Sequence, residues 1–427
     1  MNFKIDNFYN PNLAVGDSRL DSILSVTASN SSINAGAMGS AGLNKAIIFL
    51  IDVSGSMGDF NKMELAKLAV RRSINLLDEN SLFGVIAFSS SPRVITSLCM
   101  VTSVTKEIAN EKVKRLDAGG GTYMSAAMRE VLEMIKGQSN IMVHVQFVTD
   151  GQNDASDNNN LEKVLDLCEG RFQCDCWGIG TDWRPNELKN IANRLLGSAD
   201  AVPDPGKLEE HFKAALLRAM SKGVGDVKLR LQTPKSVKVT TIKQVSPVIV
   251  DLSKLSKRID DKNIDIPLGS WGDENREYQI AFELQPQAEG EEMMACRPKI
   301  VFTQDGQEVV VDGERLVALW SSDVSRTSRI NEQVAHYTGQ GELASSIDEG
   351  LKAKARGDID SATMLLGRAA KIAVESGNEE VTMRLKKVVD IVDAEQGTVR
   401  LKKDANKAAD LELDMGETMT IRKRPVK

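Results

Sequence analysis

Residues 45–58 read KAIIFLIDVSGSMG, an apolar run that ends in one carboxylate and two hydroxyl side chains. The apolar part, 46–53, has the length of a buried strand and is far shorter than the roughly 18 residues that span a membrane. Similar runs alternate with amphipathic stretches, which predicts a doubly wound, mostly parallel α/β sheet. The predicted strands are 46–53, 82–88, 143–149 and 174–179, with an antiparallel edge at 93–98. The predicted helices are 62–77, 123–135, 161–168, 186–195 and 207–220.

The rest of the chain differs from this α/β region in its pattern of apolar, polar and glycine residues. Residues 29–42 are small, polar and glycine-rich, which indicates a linker. Short alternating strands after residue 223 predict a β-sandwich, to which an N-terminal strand at 20–27 adds. The predicted domains are 1–44 (N-terminal strand segment and linker), 45–223 (α/β), 224–322 (β-sandwich), 323–396 (helical region) and 397–427 (flexible tail). The helical region resembles a helix pair or a tetratricopeptide unit, and the lack of a repeat of about 34 residues favours the pair.

Composition excludes several classes of function. The 427 residues are 41% hydrophobic and 27% charged, which excludes wholesale disorder. The net charge of −6, without a long basic run before the C-terminus, argues against a nucleic-acid partner. A polar N-terminus and the absence of a membrane-length apolar run predict a cytoplasmic protein without a membrane partner. Five scattered cysteines predict reduced, buried thiols, and the pair Cys174 and Cys176 alone is a weak metal signal.

Three polar motifs follow strands or precede a helix of the predicted sheet. Asp52, Ser54 and Ser56 form a D-x-S-x-S motif after the first strand. Thr122 follows three glycines, 119–121, and Asp150 belongs to a T-D-G turn after another strand. In open α/β sheets, ligands bind beyond the carboxyl ends of the strands. The spacing therefore predicts that two carboxylates and three hydroxyls converge there.

These motifs resemble the metal-ion-dependent adhesion site of the von Willebrand factor A domain family, over about residues 45–222. Asp52, Ser54, Ser56, Thr122 and Asp150 fill its five positions in order. The resemblance implies a bound Mg²⁺, with Mn²⁺ or Ca²⁺ as alternatives, because these cations prefer oxygen ligands. It also implies that a protein partner presents an Asp or Glu to the metal. The predicted function is a metal-dependent protein–protein interaction module or scaffold, not an enzyme.

A metal-dependent hydrolase is the competing interpretation, and it needs a base beside the metal. His144, His211 and His336 lie in an apolar strand and in helical stretches, so we interpret them as structural. Residues 57–60 and 153–158 extend two of the site loops. A selective rim for a partner and a plain solvated loop both remain open for them.

The tail from residue 410 reads DLELDMGETMTIRKRPVK, shows no apolar periodicity and is predicted to be mobile. The whole architecture resembles bacterial cytosolic A-domain proteins that accompany Ser/Thr kinases, metal-dependent phosphatases and forkhead-associated domains. This resemblance implies that Thr418 and Thr420 are candidate phosphoacceptors in kinase and phosphatase signalling. A forkhead-associated domain or a Ser/Thr kinase would then be the partner, and an unmodified solvated tail is the alternative.

Overall fold

The computed structural model describes residues 1–29, 44–138, 141–304, 306–403 and 405–423. These residues fall into two compact units. The α/β unit lies within Gly39–Lys222, and the split unit lies within Met1–Met38 and Gly223–Lys427. The predicted linker lies almost wholly outside the described residues.

The α/β unit contains a six-stranded sheet. Its strands, in spatial order, are Pro92–Met100, Ser81–Phe88, Asn44–Asp52, Ile141–Thr149, Gln173–Ile179 and Ala199–Val202. All neighbours pair in parallel except Pro92–Met100, which pairs antiparallel with Ser81–Phe88. The predicted mostly parallel sheet with an antiparallel edge is therefore confirmed, and Ala199–Val202 is a strand that was not predicted.

In the described ranges of this unit, six helices accompany the sheet. They are Lys62–Leu76, Ser103–Lys114, Met124–Met134, Asn158–Cys168, Pro185–Arg194 and Leu208–Ser221. Short 3-10 turns lie at Gly55–Asn61, Ala155–Asp157 and Pro205–Lys207. Successive residues of the central strand, such as Ile48 and Phe49, are both buried, although they point to opposite faces. Burial on both faces explains why this strand is a continuous apolar run. The five predicted helices are present, and Ser103–Lys114 was not predicted.

Two large, mainly antiparallel sheets lie in the described part of the split unit. The first has Asn2–Tyr9, Arg19–Ser29, Glu274–Glu283, Lys238–Ser246 and Val250–Asp251 in spatial order. The second has Lys257–Arg258, Asn263–Trp271, Val224–Gln232, Glu292–Gln304, Leu316–Ser321 and Asn12–Ala14, with Gln307–Asp312 beside Glu292–Gln304. The Phe3 ring of the first sheet contacts Trp271 and Phe302 of the second, with centroids 5.5 Å and 4.9 Å apart. The N-terminal strand predicted at 20–27 thus lies in a sheet with strands from beyond residue 223.

Helices dominate the last hundred residues of the split unit. They are Val324–Thr327, Glu332–Ala355, Ile359–Glu375, Glu379–Val388 and Lys407–Gly416, with a hairpin of Val389–Asp393 and Thr398–Leu401. A 3-10 turn at Ser253–Leu255 lies earlier in the chain, between strands Val250–Asp251 and Lys257–Arg258. Leu343, Leu366, Leu385 and Leu413 share one apolar core. Within the described ranges, no helix is long and apolar enough to cross a membrane.

The prediction of a mobile tail is wrong for the described part of 397–423. Strand Thr398–Leu401 and helix Lys407–Gly416 occupy it, and Leu411, Leu413 and Met415 are buried. Beyond the helix, Met419 forms a β-bridge with Val248. Burial of these apolar side chains explains the order, because it offsets the conformational entropy of the segment.

Candidate metal centre

Two neighbouring parallel strands end in the predicted carboxylates. Asp52 is the last residue of Asn44–Asp52, and Asp150 directly follows Ile141–Thr149. The two strands pair in register, with Ile51 opposite Val148. Both carboxylates are fully buried. The sheet therefore brings two acidic groups together at its carboxyl edge, as predicted.

Asp52 is fixed by its neighbours. Its Oδ1 accepts a hydrogen bond from the Ser54 backbone N–H at 2.7 Å. Its Oδ2 accepts one from the hydroxyl of Thr149, a contact that the sequence analysis missed. Burial raises the pKa of Asp52 to about 6, although the bonds from Thr149 and Ser54 act in the opposite direction. The carboxylate is thus held in one orientation in a poorly solvated place.

The hydroxyl groups complete an oxygen-rich cluster. Ser54 Oγ lies 3.2 Å from Ser56 Oγ, which donates to Asp150 Oδ1 at 2.8 Å. A Cβ atom on Gly151 would lie 3.2 Å from Thr122 Oγ1, 3.5 Å from Ser56 Oγ and 3.9 Å from Asp52 Oδ2. The space that the missing side chain leaves at Gly151 is therefore lined by oxygens. All five predicted residues meet here.

The glycine-rich loop is held against the first loop by backbone contacts. The Gly119 N–H donates to Val53 O at 2.7 Å, and the Gly55 N–H donates to Gly120 O at 3.0 Å. Gly120 has a φ of +93°, and a Cβ there would lie 3.0 Å from the hydroxyl of Ser89. Glycine is thus required at position 120 for both its conformation and its close packing. The loop positions Thr122 at the cluster.

The loop at residues 153–158, for which a partner-binding rim was one interpretation, has two side chains that stabilise the fold. Asn153 and Asp157 are buried. Asn153 Oδ1 accepts from the Met124 N–H, and Asp157 Oδ2 accepts from the Ser125 N–H, both at 2.9 Å. These side chains satisfy the first amide groups of helix Met124–Met134. The rim interpretation is therefore wrong for Asn153 and Asp157.

The first loop presents an exposed aromatic residue and a buried lysine. Phe60 is 86% exposed. Lys62 Nζ lies 2.6 Å from Asp150 Oδ2 and 3.7 Å from Asp182 Oδ2. Lys62 was not predicted as part of the site, because a lysine at the start of a helix usually has a solvated side chain. The only signal was its place six residues after the D-x-S-x-S motif.

The donor set fits a hard divalent cation. It contains two carboxylates and three hydroxyls, and such oxygen ligands suit Mg²⁺, Mn²⁺ or Ca²⁺. In the described parts of the chain, no group of three or more His, Cys, Asp or Glu side chains is arranged to hold a metal ion. Hydroxyl ligands are therefore essential to the fit. Cys174 and Cys176 are buried with sulfurs 3.8 Å apart, and burial raises the pKa of the Cys174 thiol, which disfavours a thiolate site.

The three histidines make other contacts. His144 Nε2 lies 2.8 Å from Asp175 Oδ2, and Asp175 Oδ1 accepts from the Ser198 N–H and hydroxyl, each at 2.7 Å. The His211 ring packs against Trp177, with centroids 5.6 Å apart. His336 Nε2 lies 2.9 Å from the backbone oxygen of Ile421. These contacts are structural in kind, as the sequence analysis interpreted them.

The candidate phosphoacceptors, Thr418 and Thr420, belong to the split unit. The Thr420 hydroxyl donates to Val245 O at 2.6 Å, and its N–H donates to Pro247 O at 2.9 Å. The Ile249 N–H donates to Thr418 O at 2.8 Å. Both threonines are thus paired with the chain around residue 247. Their phosphorylation stays a prediction.

The fold and the site define an α/β domain with a candidate divalent-cation centre. A model of the von Willebrand factor type A domain matches residues 45–201, and one of the von Willebrand factor type A C-terminal domain matches residues 371–417. The structure of von Willebrand factor type A from Catenulispora acidiphila is 36% identical, covers 99% of this chain and 97% of that one, and has a TM-score of 0.90. The chain belongs to the von Willebrand factor type A family.

Two further relatives are more distant. The structure of the ArnB paralog VWA2 from Sulfolobus acidocaldarius covers 98% of both chains with a TM-score of 0.60, but its 16% identity shows the fold alone. An uncharacterized protein of Synechocystis is 27% identical over 212 residues, which are 48% of this chain and 50% of that protein. The chain thus matches about half the length of that curated relative.

Proposed function

We propose that the chain is a metal-dependent protein-binding module. Asp52, Ser54, Ser56, Thr122 and Asp150 would hold a Mg²⁺ ion, and a partner would contribute an Asp or Glu carboxylate. The observation that supports this most is the cluster of five oxygen-bearing side chains from three loops. Oxygens of Thr122, Ser56 and Asp52 line the space at Gly151, and Ser56 Oγ also contacts Ser54 and Asp150. Cytoplasmic location, expected from the sequence pattern and from the resemblance, is a further proposal, and a place in kinase and phosphatase signalling is another that rests on the resemblance alone.

Different residues of the chain would have different roles in binding. A bound Mg²⁺ supplies an electrophilic centre for an outside carboxylate. Thr149 and the Ser54 N–H keep Asp52 in one orientation, which prepares the site before a ligand arrives. The exposed Phe60 provides an apolar surface on the first loop for residues that flank the carboxylate of the partner.

Hydrolysis is the competing function. A hydrolase needs a group that takes a proton from water beside the metal. In the described structure, Lys62 is the basic residue that contacts the cluster, and it is held in an ion pair with Asp150. This arrangement favours binding over water activation. Assays for phosphoester turnover on the same protein preparations test the alternative directly.

Calorimetric titration with Mn²⁺ and Mg²⁺ tests the proposal. We expect saturable binding by the wild type and loss of binding in Asp52→Asn, because this change removes a buried carboxylate of the cluster. Asp59→Asn is the matched control, since Asp59 is an exposed acid on the same loop. Binding of acidic peptides, compared with their Asn and Gln counterparts, should then depend on metal and be reversed by chelator. Absence of metal binding by the wild type would refute the proposal.

A further inference from the structure

We propose, building on the function above, that Lys62 is a built-in cation that competes with the metal for Asp150. In this role it lowers the metal affinity of the site and strengthens its preference for an anionic partner. Lys62 is then a residue that tunes the site, not one of its ligands.

One carboxylate is shared between the oxygen cluster and the lysine. Asp150 Oδ1 accepts the hydrogen bond from Ser56 Oγ at 2.8 Å, whereas Asp150 Oδ2 lies 2.6 Å from Lys62 Nζ. The carboxylate therefore faces a candidate metal ligand on one side and a fixed positive charge on the other. Any ion bound by the cluster must share the charge of Asp150 with Lys62.

The surroundings of Lys62 are built for a buried ammonium group. The side chain is only 4% exposed. Gly180, at the end of strand Gln173–Ile179, leaves room for it, because a Cβ there would lie 3.2 Å from Lys62 Cε and 3.7 Å from Nζ. Asp182 Oδ2 lies 3.7 Å from Nζ, and the Phe60 ring centroid lies 5.9 Å away. A buried lysine needs such partners because of its desolvation cost.

The backbone before Lys62 also supports a specific placement. Phe60 and Asn61 adopt left-handed conformations, with φ of +51° and +61°, which are unusual for residues other than glycine. This turn makes Lys62 the first residue of helix Lys62–Leu76. Strained backbone of this kind is often found at functional sites. The geometry thus directs the lysine toward Asp150 from a defined position.

Counting charges shows what Lys62 changes. With their carboxylates ionised, Asp52, Asp150 and Asp182 sum with Lys62 to −2, so a divalent cation makes the site neutral. Without Lys62 the same groups sum to −3, and a divalent cation leaves the site at −1. Repulsion from Lys62 therefore weakens metal binding, while the site with metal attracts a carboxylate more strongly than it would without Lys62. Metal and carboxylate are then expected to bind with positive coupling.

The test measures Mn²⁺ affinity from the paramagnetic resonance signal of the free ion, with and without acetate as the carboxylate probe. Lys62→Met and Lys62→Gln are compared with the wild type and with Lys67→Met. Lys67 is the matched control because it lies on the same helix and is also buried, but pairs with Glu64 at 2.8 Å. We expect the Lys62 variants to bind Mn²⁺ at least about tenfold more tightly, whereas Lys67→Met matches the wild type. Acetate should improve Mn²⁺ affinity more in the wild type than in the Lys62 variants.

The outcomes separate this inference from the proposed function. Equal or weaker Mn²⁺ affinity in both Lys62 variants, with clear binding by the wild type, overturns the role of Lys62 and leaves the function standing. Absence of binding in every protein overturns both. An equal gain in Mn²⁺ affinity in Lys67→Met also overturns the inference, because it would show that loss of any positive charge on this helix strengthens metal binding. If Lys62→Met does not fold, Lys62→Gln decides, because its amide retains a donor for Asp150.

Discussion

An alanine at position 151 is expected to disable the metal centre without unfolding the chain. The added Cβ would lie 3.2 Å from Thr122 Oγ1, so this oxygen must shift by some tenths of an ångström, whereas the 3.5 Å contact with Ser56 Oγ is an ordinary van der Waals contact. Magnesium tolerates little departure from ligand distances of about 2.0–2.1 Å. We therefore expect metal affinity to fall at least about tenfold, or about 1.4 kcal/mol. The free energy of unfolding should change by less than about 1 kcal/mol, because alanine also restricts the unfolded chain.

Metal titration by calorimetry and urea unfolding measure these two quantities on the same samples. Gly119→Ala is the matched control, since a Cβ there meets no atom within 4 Å, and neither position has a positive φ. Metal affinity that is unchanged in Gly151→Ala, or reduced equally in both variants, would refute the idea that the oxygens around Gly151 share one ion.

Two further predictions concern stability and the C-terminal segment. Although burial acts in the opposite direction, His144 and its neighbours hold the pKa of Asp175 below its ordinary value, so Asp175→Asn should lower the free energy of unfolding by about 2–3 kcal/mol at pH 7. This contribution of Asp175 to the free energy of unfolding is complete above the pKa of about 3.9 that Asp175 has in the unfolded chain, and it is lost as the pH falls below that value. The free energies of unfolding of the wild type and of Asp175→Asn, measured with urea, should therefore begin to converge below about pH 3.9. A difference that stays constant down to about pH 3 contradicts the assignment. Thr420→Val removes the hydrogen bond to Val245 O and should speed the hydrogen exchange of backbone amides around residues 245–249. Thr418→Val should leave this exchange rate unchanged, because among the described residues no side-chain hydrogen bond is lost there. Equal rates in both variants would argue against the contact.

The sheet was predictable because parallel strands are buried on both faces and so appear as uninterrupted apolar runs. The elements that were missed lack such a signal. Strand Ala199–Val202 has only four residues. Helix Ser103–Lys114 buries only Ala109 and Val113, too few to give a clear apolar stripe.

The tail was mispredicted for a related reason. Leu411, Leu413 and Met415 are spaced two apart, which is not the period of an amphipathic helix. Helix Lys407–Gly416 buries all three because it packs against both Glu379–Val388 and Glu332–Ala355. Only tertiary contacts reveal this.

The ligand residues of the candidate site were predictable from the sequence, but the positive charge of Lys62 beside Asp150 was not. Asp52 and Asp150 follow strands, and the strand ends of a parallel sheet meet at one edge, so sequence alone places them together. Lys62 reaches Asp150 only because the turn at Phe60 and Asn61 and the missing side chain at Gly180 direct it inward. No local pattern in the sequence encodes that combination.

The pairing of residues 418–420 with the chain at 247–249 has a consequence for self-association. The Pro247 C=O accepts a hydrogen bond from the Thr420 N–H, and the Ile249 N–H donates to the Thr418 C=O, with Val248 opposite Met419 between them. In a chain shortened at Gly416 the Pro247 C=O and the Ile249 N–H would lose these partners, just after strand Lys238–Ser246, and present an open template for strand addition. Such a chain should dimerise or aggregate in a concentration-dependent way, and a synthetic peptide covering residues 417–423 should suppress this by reoccupying the edge.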